Sequence, residues 1–153
     1  GTAGTIASGA YERAIRALAP HAQIAARACP LFVPLVEEGW LDTPATRLIA
    51  REYLAPLAAT HVDTLVLGCT HYPLLKPLLA EELGSTVRLI DSAEQTAAAT
   101  ASVLAERELC APAGTGALPS HRFISSDAPE QFLRLAQRFL GTPIERVEKV
   151  TLG

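Results

Sequence analysis

The run Thr64-Leu65-Val66-Leu67 is short, uncharged and closed by Asp63 on one side and Gly68 on the other. That is how a strand covered on both faces of a parallel sheet is written, because neither side alternates with polar residues. Parallel strands need a crossover between them, and the flanking sequence supplies helical patterns. Residues 74–83 read as a helix closed by Gly84, residues 86–90 as the next strand, and residues 92–108 as an alanine-rich helix with Ser92 as its cap. Upstream, Ser8 caps a predicted helix over 9–19 with Tyr11, Ile15 and Leu18 on one face, and residues 23–28 read as a strand ending at Cys29-Pro30. A short helix over 31–38 stops at Gly39. Thr43 followed by Pro44 opens a longer one through Ala58, which Pro56 ends or kinks. Downstream, residues 111–120 are a Pro/Gly/Ser loop, residues 121–125 a strand, and residues 128–140 a helix capped by Ser126 or Asp127 and closed by Gly141. Residues 144–152 read as a final edge-like strand. The expected fold is α/β, with a mainly parallel sheet flanked by helices.

Composition narrows the function. Apolar residues make up 49% and charged residues 19%, enough for a core and too apolar for a disordered chain. The net charge of −3, from 13 basic and 16 acidic residues, gives no basic excess for nucleic acid. No run nears the roughly 18 apolar residues of a membrane span. Three cysteines (Cys29, Cys69, Cys110), an odd and widely spaced set, fit a reducing cytoplasm better than a disulfide framework. No Cys-x-x-Cys pair or His/Cys cluster points to a metal. The chain starts Gly1-Thr2-Ala3-Gly4-Thr5-Ile6 and contains no methionine, which reads as a piece of a longer protein cut at a strand-to-helix turn.

Chemistry concentrates where the predicted strand meets Gly68-Cys69-Thr70-His71. Ligands of open α/β sheets bind outside the carboxyl ends of the strands. Glycine before the cysteine lets the backbone turn and a ligand approach. The amides of the following turn and the helix dipole attract anions, and such a field favours thiolate over thiol. His71 adds a group that exchanges protons near neutral pH. The plain alternative is a cysteine that merely fills the core, since cysteine is among the most buried residues. Cys-x-His is too short to decide between the two.

The wider segment Gly68-Cys69-Thr70-His71-Tyr72-Pro73-Leu74-Leu75, preceded by Leu65-Val66-Leu67, resembles the second-cysteine motif of bacterial glutamate racemases. Residues 28–39, from Ala28-Cys29-Pro30-Leu31-Phe32 to Glu37-Glu38-Gly39, and residues 1–11, from Gly1-Thr2-Ala3-Gly4-Thr5, resemble two further family blocks in the same order. Residues 89–93 and 123–127 match more weakly.

The resemblance implies cofactor-independent interconversion of L- and D-glutamate, without metal, by two cysteines on opposite faces of the α-carbon. It implies a role in peptidoglycan and cell-wall biogenesis, and hence in cell shape. It makes Cys69 the second of the two bases. Thr70 and His71 match positions that bind the substrate carboxylate and assist the thiol, and Glu37 matches a glutamate that orients the histidine, with Glu38 its rival. Thr2 and Thr5 match hydroxyls around the substrate carboxylate. The resemblance also places residues 1–91 in a C-terminal catalytic domain and has residues 92–153 pack back on an N-terminal domain that carries the first cysteine. Apolar faces on 92–108 and 131–140 should then be open. A homodimer is compatible with it; no nucleic acid or membrane is implied. A fragment with one base is expected to be inactive alone.

Cys29 reads as structural and Cys110 matches no family position, so neither is expected to replace the first cysteine. His21, His61 and His121 read as surface or element-end residues, Trp40 as packing, and Asp91 as an interdomain residue. An aspartate or hydantoin racemase, a maleate isomerase, or a non-enzymatic remnant or binding module are the alternative functions.

Overall fold

In the computed structural model, residues 1–111 and 120–152 are described. Most of the predicted loop 111–120 therefore lies outside the described residues. The chain forms two compact units, Gly1–Leu109 and Cys110–Gly153.

The first unit opens with two short helices, α1 (Ala3–Ser8) and α2 (Ala10–Leu18). One helix over 9–19 was expected. Thr2 starts α1 instead, its hydroxyl accepting the Thr5 amide at 3.2 Å. Gly9, left-handed at φ 61°, then separates the helices and caps α2. Ser8 is not the cap, though its hydroxyl accepts the Ala10 amide at 3.2 Å.

Residues 23–28 form no strand. Among the described residues, the cross-chain backbone bonds of this stretch and Cys29 run to Gly1, and a strand needs a ladder partner along its length. α3 (Phe32–Glu37) ends before Gly39 at φ 79°. α4 (Pro44–Ala58) starts as predicted, with Thr43 Oγ1 accepting the Thr46 amide at 3.2 Å. It runs two residues past Pro56, whose missing N–H falls in its last turn.

β1 (Thr64–Leu67) pairs in parallel with β2 (Arg88–Asp91), Leu67 opposite Asp91. Between them come a single 3-10 turn (Tyr72–Leu75) and α5 (Lys76–Leu83), which stops at Gly84. β1 is not covered on both faces as its composition suggests. Leu65 and Leu67 pack on the core, whereas Thr64 and Val66 are exposed on the other face. α6 (Ser92–Glu106) is capped by Asp91 rather than Ser92. The Asp91 carboxylate accepts the Glu94 amide at 2.9 Å, one residue earlier than the sequence suggested.

The core of this unit joins α3, α4, the 3-10 turn and α5. Thr46, Ala50, Leu54 and Leu57 recur at helical spacing on the buried face of α4. Phe32 sits between Tyr53 and Tyr72, edge-on to each with ring centroids 5.2 Å apart. Arg47 and Arg51 of α4 bind Glu81 and Glu82 of α5 on the outside. α6 buries none of its residues, and Val103 and Leu104 are exposed.

The second unit is a small β-α-β arrangement. β3 (Ile124–Ser125) and β4 (Glu148–Lys149) are parallel, and α7 (Pro129–Leu140) lies between them in sequence. The α7 cap is Ala128, left-handed at φ 41°, and not Ser126 or Asp127; the Ser125 hydroxyl bonds Asp127 in a local turn instead. Among the described residues of this unit Ile144 is the buried one, and Gln137 donates to its carbonyl at 3.0 Å. Phe132, Phe139 and Leu140 are exposed.

Candidate active site

β1 delivers Gly68 and Cys69 at its carboxyl end. Gly68 has no left-handed backbone to explain it. A Cβ there would lie 2.9 Å from Cε2 of Tyr11, so a larger residue would have to displace the ring of that α2 tyrosine. The chain then tightens into a turn, with the Tyr72 amide donating to the Cys69 carbonyl at 3.2 Å and the Leu74 amide to His71 at 3.2 Å. Tyr72 is buried in the core and anchors this turn from below. Its hydroxyl donates to the Cys29 carbonyl at 2.8 Å. Burial holds that phenol well above its ordinary range, and the nearby Cys29, Cys69 and Tyr53 add to the effect.

With the turn fixed from below, Thr70 and His71 lie toward the surface. His71 Nε2 lies 3.1 Å from Glu37 Oε1, and Nδ1 lies 3.3 Å from the Thr70 hydroxyl. In the neutral ring, Nε2–H donating to Glu37 leaves Nδ1 to accept from Thr70. Glu37 comes from the last turn of α3, and it rather than Glu38 reaches the histidine. Cys69 is a free, half-buried thiol on the same turn.

The Thr2 and Thr5 hydroxyls lie 2.9 Å apart at the start of α1. Cys29 links these parts through its backbone. Its amide donates to the Gly1 carbonyl at 2.9 Å and its carbonyl accepts from Tyr72. Its own thiol is buried, and burial pushes it toward the protonated form.

A second anchor holds the far side of the turn. Lys76, the first residue of α5, donates to Asp91 at 2.6 Å and to Glu94 at 2.7 Å. The Asp91 carboxylate is buried and held below its usual range, first by the Glu94 amide and then by Lys76. Sequence reasoning missed Tyr11, Tyr72 and Lys76. Among the described residues no group of three or more His, Cys, Asp or Glu side chains is placed to hold a metal ion, and no helix is long and apolar enough to cross a membrane.

This arrangement offers an accessible thiol beside an oriented imidazole, at the carboxyl end of a parallel strand. Residues 1–100 match the family model described as Asp/Glu/Hydantoin racemase. The chain belongs to this family. It is 53% identical over 152 residues to a glutamate racemase of Syntrophus aciditrophicus, covering 99% of this chain and 56% of that protein. Among solved structures it resembles a glutamate racemase from Francisella tularensis in complex with D-glutamate, at TM-score 0.82 and 34% identity over 95% of this chain and 54% of that one. A glutamate racemase isoform from Bacillus anthracis gives TM-score 0.85 and 37% identity over 97% and 55%. The chain thus spans about half the length of the curated relatives it matches. These likenesses bear out the α/β fold and the family resemblance read from the sequence.

Proposed function

We propose that this chain carries one face of a cofactor-independent glutamate racemase. Cys69 exchanges a proton with the α-carbon of glutamate on one side, and a second thiol, outside this chain, serves the other. The observation that carries the reading is the half-buried Cys69 at the end of β1, on the same turn as a His71 bonded to both Glu37 and Thr70. The α-proton beside a carboxylate is very weakly acidic, so the charge that develops at the carboxylate needs fixed donors. Thr70 and the hydroxyls of Thr2 and Thr5 supply them in this reading. His71 assists the thiol, and Glu37 orients His71.

In the same reading residues 1–91 form the catalytic domain, and residues 92–153 pack against a preceding domain that brings the first cysteine. The open apolar residues of α6 and α7 suit that contact. Assembly as a homodimer, a cytoplasmic location and supply of D-glutamate for peptidoglycan follow from the same family reading. The family model also spans aspartate and hydantoin racemases, so substrate choice is part of the test.

The experiment mixes this chain with the separately produced N-terminal half of the Syntrophus relative and follows deuterium entry at the α-carbon of L-glutamate. The expected result is no exchange by the chain alone, exchange by the pair, and loss of exchange with Cys69→Ser. L-aspartate replaces L-glutamate in a parallel assay. Racemisation by this chain alone that survives Cys69→Ser sinks the assignment, and faster turnover of aspartate sinks the substrate.

A further inference from the structure

α3 carries Glu37 but cannot hold itself in place. It has six residues, and Leu31 at its start offers no side-chain cap. A helix that short is marginal on its own, so contacts with the rest of the fold decide where it sits. Its inward stripe is Phe32 and Val36, both buried. Tyr72 grips the helix at its start. The Tyr72 hydroxyl donates at 2.8 Å to the Cys29 carbonyl, the same oxygen that accepts the Phe32 amide at 3.3 Å. Its ring meets Phe32 edge-on, with centroids 5.2 Å apart and planes at 89°. The other end of α3 meets the next residue of the turn: Glu37 Oε1 lies 3.1 Å from Nε2 of His71. Adjacent residues of the turn thus hold opposite ends of one helix, roughly 7.5 Å of axial rise apart.

We infer that Tyr72 is a positioning residue of the active site: by fixing the start of α3 against the Cys69 turn, it sets the distance between Glu37 and His71. The part this pair plays in proton transfer rests on the function proposed above, whereas the geometry belongs to this chain alone. A phenylalanine would fill the same core space and keep the edge contact with Phe32. The Cys29 carbonyl would still accept the Phe32 amide. What the hydroxyl adds is therefore placement. The tolerance is narrow, because a side-chain hydrogen bond is gone by about 3.6 Å, so a slide of α3 by about half an ångström parts Glu37 from His71.

The test is a double-mutant cycle in the two-part enzyme, with the second half in excess. Tyr72→Phe is expected to lower kcat for L-glutamate about fivefold and to leave KM within about twofold, as misplacement of a catalytic group does. In the Glu37→Gln background, where the pair is already broken, Tyr72→Phe should lower kcat by less than about twofold further. The same loss in both backgrounds, a rise in KM at constant kcat, or an unchanged kcat overturns the inference. A second readout needs no turnover. In this chain alone, the ring-nitrogen resonances of His71, assigned by their loss in His71→Gln, should move with Glu37→Gln and move the same way, by less, with Tyr72→Phe. His71 resonances that ignore Tyr72→Phe, move the opposite way, or ignore Glu37→Gln also overturn it. If the unsubstituted pair shows no exchange at the α-carbon, the racemase reading fails, and the resonances alone then decide whether Tyr72 places Glu37 against His71.

Discussion

Cys29 and Cys69 sit in similar local settings and meet opposite fates. Each ends an extended stretch, each is followed within a few residues by proline, and each leads into a helix. Cys29 is 6% exposed, and burial drives its thiol toward the protonated form. Its backbone does the work, holding Gly1 on one side and Tyr72 on the other. Cys69 has the same Tyr72 beneath it but keeps its thiol half open, with His71, Thr70 and Glu37 alongside. The contrast teaches that the strand end alone does not make a reactive cysteine. In the proposed function access and a neighbouring imidazole set Cys69 apart, and the buried cysteine serves as the frame on which the open one is mounted.

The largest expected effect tests the chemical half of this contrast. In the two-part enzyme, Cys69→Ser lowers racemisation by about 10³-fold or more, in line with removal of a proton-transfer group. Cys29→Ser in the same assay leaves the rate within a few-fold while lowering Tm, because a hydroxyl replaces a buried sulfur. A comparable rate loss from both breaks the contrast. Next comes the shared support. Tyr72→Phe removes a 2.8 Å buried hydrogen bond and leaves the Cys29 carbonyl with the Phe32 amide alone, at a cost of roughly 1 kcal/mol read by denaturant titration. A third, smaller effect belongs to Glu37. Glu37→Gln keeps the shape but loses the charge opposite Nε2, and the expected loss is about tenfold in kcat. Glu38→Gln should stay within about twofold, as exposed polar changes do.

Much of this contrast was legible in the sequence, though not all from the same source. β1, α4 and α5 follow from an apolar run, a Thr-Pro helix start and a glycine stop, each a local signal. The pairing of Glu37 with His71 came through the family motif, since no spacing rule joins α3 to the turn after β1. What was missed depends on contacts far apart in sequence. Gly68 reads as a turn glycine, yet its backbone is not left-handed and the ring of Tyr11 lies where a side chain would start. Residues 23–28 have strand composition but lack a partner along their length, and pairing is what makes a strand. The caps slipped by a residue or more for a different reason. Asp91 and Ser92 both suit a helix start, and Asp91 is selected because, as the last residue of β2, its backbone is extended and its carboxylate reaches the Glu94 amide.

The ion pair of Asp91 with Lys76 gives the smallest and most specific effect. Tyr72 fixes the turn from the core side, and Lys76 with Asp91 fixes its exit, so the two anchors separate by their response to acid. Asp91 has a folded-state value below the ordinary carboxylate one, so it binds a proton less readily folded than unfolded. Its stabilising contribution is therefore fully present at neutral pH, begins to fade as pH drops toward about 4, and is lost through the lower folded value. Asp91→Asn keeps a competent cap but loses the charge that Lys76 faces, and should cost about 1 kcal/mol at pH 7. The difference in stability between wild type and Asp91→Asn should shrink as the pH is lowered from 5 toward 3, measured by urea titration. The Tyr72→Phe difference should stay flat over the same range, because its hydrogen bond involves no group that titrates there. A gap for Asp91→Asn that persists at pH 3 would show that the carboxylate acts through packing rather than charge, and the turn would then be held by its core side alone.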